Sequence, residues 1–130
     1  MASKPGIPRS EQIFAVYAFV VGPRTVRAVK LAVDTGATYT MLPPELLLDI
    51  GHDPAHTTRH IELSTANGLL LVPLLRVRTI RCLGLALNAA EVVAHHLPPE
   101  SPVEGLLGLN VLARFKPFQA FAHALRPFVV

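Results

Sequence analysis

Short apolar runs punctuated by Gly, Pro and Asn set the pattern of this chain. Over Ile13 to Val21, Ile, Phe, Val and Tyr dominate with no polar stripe at helical spacing, which predicts a buried strand. Gly22-Pro23 breaks it, and Arg24 to Val33 resumes with β-branched residues among Arg and Lys, so the pair predicts a hairpin with one wetter strand. Tyr39 to Leu42 reads as a short strand. Pro43-Pro44-Glu45 then opens a helical turn through Ile50 that Gly51 stops, with proline at the start and glycine just past the end. Ile61 to Thr65 and Leu69 to Arg81 flank Ala66-Asn67-Gly68, a tight-hairpin signal because Asn and Gly both tolerate positive φ. A second turn at Leu83-Gly84 leads into Leu85 to Ala94, and Pro98, Pro99 and Pro102 mark a loop. The stretch Val103 to Phe115 passes from strand to helix at Gly108, since Leu109, Leu112 and Ala113 fall at helical spacing. Residues 118–122 and 127–130 read as closing strands. Pro5, Gly6 and Pro8 make residues 1–10 an extended arm, leaving residues 11–130 as the domain. The tally is all-β, mostly antiparallel, with one or two short helices.

Composition narrows the class. At 130 residues and 14.1 kDa the chain suits one domain with a modest core. Its 51% hydrophobic and 16% charged residues suggest either apolar surface buried against another chain or a compact sheet protein. No apolar span is long enough to cross a bilayer, and no hydrophobic signal core follows Met1-Ala2-Ser3-Lys4-Pro5-Gly6, so a soluble protein without a membrane partner is expected. Cys82 is the one cysteine, which rules out an intrachain disulfide and makes a reducing cytoplasm the default compartment. The net charge of +3 raises the question of nucleic acid, but the basic residues are spread along the chain with no cluster interleaved with aromatics. A solvated basic face is the expectation, with no nucleic-acid partner. His52, His56 and His60 recur at four-residue spacing, yet Pro54 and Thr57-Thr58 argue against a continuous helix, and no acidic or cysteine ligand is suitably spaced. Neither a metal nor another cofactor is expected.

The candidate chemistry lies in Leu31-Ala32-Val33-Asp34-Thr35-Gly36-Ala37-Thr38, where an apolar run delivers one of the chain's three aspartates into a turn of small residues. A carboxylate beside apolar strands is paired, hydrogen-bonded or used, because desolvation disfavours its charge. An aspartate before glycine also commonly caps a turn, so the residues alone leave both roles open.

Three features then fall in one order: Asp34-Thr35-Gly36-Ala37 after an apolar strand, the hairpin about Asn67-Gly68, and Leu106-Leu107-Gly108 running into Leu109-Asn110-Val111-Leu112. In this the chain resembles the retropepsin-like aspartic proteases, the single-domain relatives of the two-lobed pepsins, over roughly residues 13–118. The resemblance implies a single-domain acid-protease barrel with a flap hairpin and an obligate homodimer. It implies an aspartic endopeptidase in which Asp34 of each subunit activates a shared water. By the same resemblance Thr35 would bond across the dimer, and Gly36 would let backbone approach the peptide. Ala37, Thr38 and the flap-tip residues Thr65, Ala66, Asn67, Gly68 and Leu69 would bind an extended peptide with hydrophobic residues at the cut. Leu106, Leu107, Gly108 and Asn110 would support the Asp34 loop. Three positions depart from the family: Thr38 and Leu109 stand where many retroviral members pair an acid with an Arg. Asn110 stands where many bacterial members have Asp. The apolar Phe128-Val129-Val130 could pair with a partner's strand. The competing reading is a catalytically silent peptide-binding or assembly domain on the same fold.

Overall fold

A computed structural model describes residues 13–114. The expected arm at residues 1–10 and the strands over 118–122 and 127–130 lie outside the described residues. Strands β1 (Ala15–Val21) and β2 (Val26–Val33) form the expected hairpin, paired along seven rungs from Ala15–Ala32 to Val21–Val26. Strand β3 (Thr40–Leu42) runs into helix α1 (Pro44–Ile50), whose Leu46, Leu47 and Ile50 are buried while Leu48 and Asp49 face out. Gly51 ends the helix in the left-handed region at φ +108°. A 3-10 turn (Pro54–His56) leads to β4 (His60–Thr65), β5 (Gly68–Cys82), β6 (Leu85–Ala94), β7 (Gly105–Leu107) and α2 (Leu109–Leu112).

Six strands close on themselves in the order β1-β2-β7-β3-β6-β5, the last pairing back to β1, and β4 is carried outside the ring on β5. Closure removes the sheet edges a small β protein would otherwise expose. β7 enters between β2 and β3, parallel to the first and antiparallel to the second, so the loop joining those two strands is stretched over its end. That loop contains Asp34.

The 15-residue β5 serves two bodies. Its first six residues pair with β4 as a projecting hairpin, and the rest pairs with β6 and, over Thr79–Arg81, with β1. The β5–β6 ladder skips the rung between Arg78 and Ala89, where Ala89 takes φ +54°. Inward residues change phase there, from Leu75 and Val77 to Ile80 and Cys82, as the strand bends from one neighbour to the next.

Apolar burial forms two clusters. Leu31, Leu42, Leu47, Ile50, Ile80 and Leu107 fill the barrel with others of their kind. Met41, Val72, Leu74 and Val93 form a smaller one, edged by Tyr39, Ile61, Leu63, Leu97 and Leu106. The turns differ from expectation in one respect. At the β4–β5 hairpin the positive φ falls on Gly68 (+112°) and not on Asn67, whereas the two-residue turn with positive φ at both positions is Leu83-Gly84 (+53° and +75°). His52, His56 and His60 fall on a loop, a 3-10 turn and a strand. Among the described residues no three His, Cys, Asp or Glu stand close enough to hold a metal, and no helix is long and apolar enough to cross a membrane.

Candidate active site

Asp34 ends β2, half-buried, and starts a turn closed by the Ala37 N–H donating to its carbonyl at 3.1 Å. Its backbone N–H donates to the Leu107 carbonyl at 3.0 Å, which continues the β2–β7 pairing by one step and holds Asp34 to the end of β7. Within the turn the Gly36 N–H donates to Asp34 Oδ1 at 2.9 Å. This is an Asx turn, so the capping role and the placement of a carboxylate at the site are one arrangement. Thr35, Gly36 and Thr38 are exposed.

The loop is held from behind by α2. Its first two N–H groups have no partner within the helix. They donate instead to the Ala37 carbonyl (Leu109 N–H, 2.7 Å) and the Thr38 carbonyl (Asn110 N–H, 3.1 Å). Gly108 permits the approach: a Cβ there would lie 2.5 Å from the Tyr39 carbonyl carbon and oxygen. Beneath this, Thr40 is the fully buried polar residue among the described ones. Its Oγ1 accepts from the Gly108 N–H at 2.9 Å and donates to Asn110 Oδ1 at 3.1 Å, and its backbone N–H donates to the same Oδ1 at 2.8 Å. Asn110 Nδ2 donates to the Glu91 carbonyl at 2.7 Å. The hydroxyl and backbone N–H of Thr40 are thereby satisfied, as burial demands. The network ties β3, β6, β7 and α2 into one support for the Asp34 turn. Sequence reasoning missed Thr40 and Glu91. The signal for Thr40 was present, a polar residue inside the apolar strand Tyr39-Thr40-Met41-Leu42, where it needed a partner.

Two clefts flank the turn and share Leu106. One of about 510 Å³ is walled by Ala37, Thr38, Tyr39, Ile61, Leu63 and Val93 among others. The other, of about 350 Å³, includes Asp34, Ile13, Val33, Leu97 and Val103. Leu106 thus separates them while Leu107 is wholly buried in the barrel. From the hairpin, the stem Ile61 to Ser64 lines the first cleft. Thr65, Ala66, Asn67, Gly68 and Leu69 line neither. At the tip, Thr65 Oγ1 donates to the Gly68 carbonyl at 2.8 Å and accepts from the Asn67 N–H at 3.2 Å, so the turn is braced internally.

The charges nearby are structural. Glu91, whose carbonyl holds Asn110, has a carboxylate held below its usual range by hydrogen bonds from Arg59 (2.7 Å) and Arg76 (3.3 Å). His96 contacts Glu45 at 2.7 Å and holds that carboxylate low, linking the loop after β6 to the start of α1. The other two aspartates are occupied elsewhere. Asp49 pairs with Arg27, and Asp53 caps the 3-10 turn by accepting the Ala55 N–H at 2.9 Å.

Comparison with known proteins places the chain. The sequence model of a family described as Aspartyl protease matches residues 20–111. Among solved structures, a retropepsin-like aspartic protease from Rickettsia conorii is similar at a TM-score of 0.63 and 24% identity, over 83% of this chain and 76% of that one. At that identity the likeness speaks for the fold alone. No curated protein sequence matches the chain.

Proposed function

We propose, from the premise that this chain belongs to the aspartyl protease family, that it is an endopeptidase whose catalytic pair is made by two copies of itself. The observation that carries this is the position of Asp34. It is the one aspartate of the chain held in a turn at the open end of the barrel, with Asp49 and Asp53 spent on an ion pair and a cap. Water-mediated peptide hydrolysis needs a general base and a general acid, so one such carboxylate per chain calls for a second chain across a twofold axis.

In the dimer the two Asp34 carboxylates share one proton. The ionised carboxylate takes a proton from the water as its oxygen bonds to the peptide carbonyl carbon. The protonated partner gives its proton to the carbonyl oxygen. Collapse of the tetrahedral species returns that proton to a carboxylate, breaks the C–N bond, and transfers a proton to the leaving amine. Thr35 and Gly36 are exposed beside Asp34; in this reading Thr35 bonds to the partner's loop and Gly36 leaves room for peptide backbone. Ala37, Thr38 and the hairpin hold the extended substrate, with Thr65 to Leu69 closing over it when the hairpin moves. The two mainly apolar clefts beside Leu106 favour hydrophobic side chains at the cut.

The test pairs a peptide-library digestion with sedimentation of the same samples, for the wild type and Asp34→Asn. Cleavage by a dimeric wild type, lost in a variant that still dimerises, is the expected result. Equal cleavage by both proteins, or cleavage by a monomer, refutes the reading.

A further inference from the structure

The outer face of the barrel wall formed by β2, β1 and β5 has no part in the chemistry above. It carries the two most prominent exposed aromatics of the described chain. Tyr17 is 67% exposed and Phe19 51%. They stand two residues apart on β1, hence on one face and about 7 Å from each other along the strand. Directly opposite residues of paired strands also share a face. The register therefore sets Lys30 of β2 beside Tyr17, and both Ala28 of β2 and Arg81 of β5 beside Phe19. The next rung adds Val21, Val26 and Thr79. None of these residues is acidic. Glu104 borders the face, where its Oε1 accepts the Lys30 backbone N–H at 2.9 Å. Among the described residues neither Lys30 nor Arg81 forms an ion pair. A groove of about 520 Å³ continues the face past Phe19 and Arg81 to Leu83 and Leu85 at the β5–β6 turn.

Two exposed rings flanked by cations that form no ion pair among the described residues, on a face with one bordering carboxylate at Glu104, suit a polyanion that presents flat aromatic groups. We infer that this face binds single-stranded nucleic acid, with bases stacking on Tyr17 and Phe19 and phosphates meeting Lys30 and Arg81. Stacking on aromatic side chains tolerates any base, and the cations follow the backbone. An acidic protein segment would engage the cations and leave both rings unused, and a bilayer surface would leave the in-line ring spacing without a role. Along the chain these residues lie as far as 64 positions apart, from Tyr17 to Arg81. The spacing of basic residues in the sequence, which spoke against nucleic acid, could not register them. The net charge of +3 acts in the same direction by drawing polyanions to the surface.

The test is fluorescence anisotropy of labelled twelve-nucleotide oligo-uridylate and oligo-thymidylate with the full chain at low and moderate salt. Both strands bind in the micromolar range and weaken as salt rises, the difference between them reporting whether the 2′-hydroxyl is read. The double variant Tyr17→Ser, Phe19→Ser loses roughly tenfold or more in affinity. Arg81→Gln lowers affinity and reduces the salt slope by about one. Arg24→Gln, which changes a basic residue whose Cβ packs beside Gly51 at the end of α1, leaves binding within about twofold, a control for net charge alone. Should the double variant fail to fold by circular dichroism, Arg81→Gln against Arg24→Gln decides. The inference is overturned by no binding at 100-fold the expected concentration, by wild-type affinity in the double variant, by equal effects of the two arginine changes, or by equal competition from poly-glutamate.

Discussion

Asn110→Asp changes one side-chain nitrogen to oxygen and tests whether the support of the Asp34 turn rests on the hydrogen bonds described. In the native protein Asn110 Oδ1 accepts two bonds from Thr40 and Nδ2 donates to the Glu91 carbonyl at 2.7 Å. An aspartate keeps the acceptor but sets a second acceptor against that carbonyl. Leaving a part-buried acceptor facing another costs about 1–3 kcal/mol. For a chain of this length that corresponds to a fall in Tm of about 4–11 °C. Protonating the new carboxyl restores a donor, so its folded-state pKa is raised above that of the unfolded chain, near 3.9. The sign follows: the destabilisation is small below that value and grows as pH rises through it toward the folded pKa. Urea denaturation of the variant and the wild type at about pH 3.5 and pH 7 reads this directly. Equal stability of the two proteins at neutral pH, or a deficit of the same size at both pH values, would refute the assignment of the Nδ2 bond as a structural tie.

Glu91→Gln should lower stability at pH 6 by no more than about 1 kcal/mol, since the pair faces solvent. The Arg59 and Arg76 bonds hold the native carboxyl below its usual range, so their contribution is present above the unfolded pKa and is lost as pH falls through the folded one. The gap between wild type and variant in urea midpoint therefore narrows as pH falls below the unfolded-chain value of about 4.3, and a constant gap would count against the pairing. Leu83→Asn should raise Tm by about 2–4 °C, because a leucine at φ +53° bears most of the roughly 1 kcal/mol cost of that region, which asparagine largely escapes; an unchanged or lowered Tm sinks that account. Burial pushes the Cys82 thiol up to about 11, so at pH 8 it should stay unreactive toward Ellman's reagent until the protein is unfolded in urea. Rapid labelling of the native protein would show the barrel interior to be open at that strand.

What was legible in the sequence is what neighbours along the chain decide. Turn chemistry at Gly22-Pro23, Gly51 and Gly108, and apolar runs between them, are local signals, and they sufficed for the hairpins, the short helices and the Asp34 turn. The resemblance named Gly108 and Asn110 as support for that turn, but their partner Thr40 was hidden because the contacts are made at long range: Thr40 meets Asn110 across 70 positions, and Gly108 meets Thr40 across 68. No local pattern announces that β7 will insert between β2 and β3. The hairpin shows the same division. Its existence follows from Ala66-Asn67-Gly68, but which part of it lies over the cleft depends on how far β5 carries it before bending, a property of the closed barrel. Hence the stem from Ile61 to Ser64 lines the cleft while the tip lies beyond it.

That bend also separates the two apolar clusters. The larger cluster, built on Leu31, Leu42, Ile80 and Leu107, fixes the strands that carry Asp34 and the loop behind it. The smaller cluster lies beneath the cleft and takes Val72 and Leu74 from β5, with Ile61 and Leu63 of β4 only partly buried against it. A motion of the hairpin about Val72 to Leu74 therefore disturbs a handful of half-buried contacts and leaves the barrel packing untouched. Regions with few buried apolar contacts open at the lowest free energy. The 15 residues of β5, continuous through both clusters, would keep such a motion registered to the wall of the cleft.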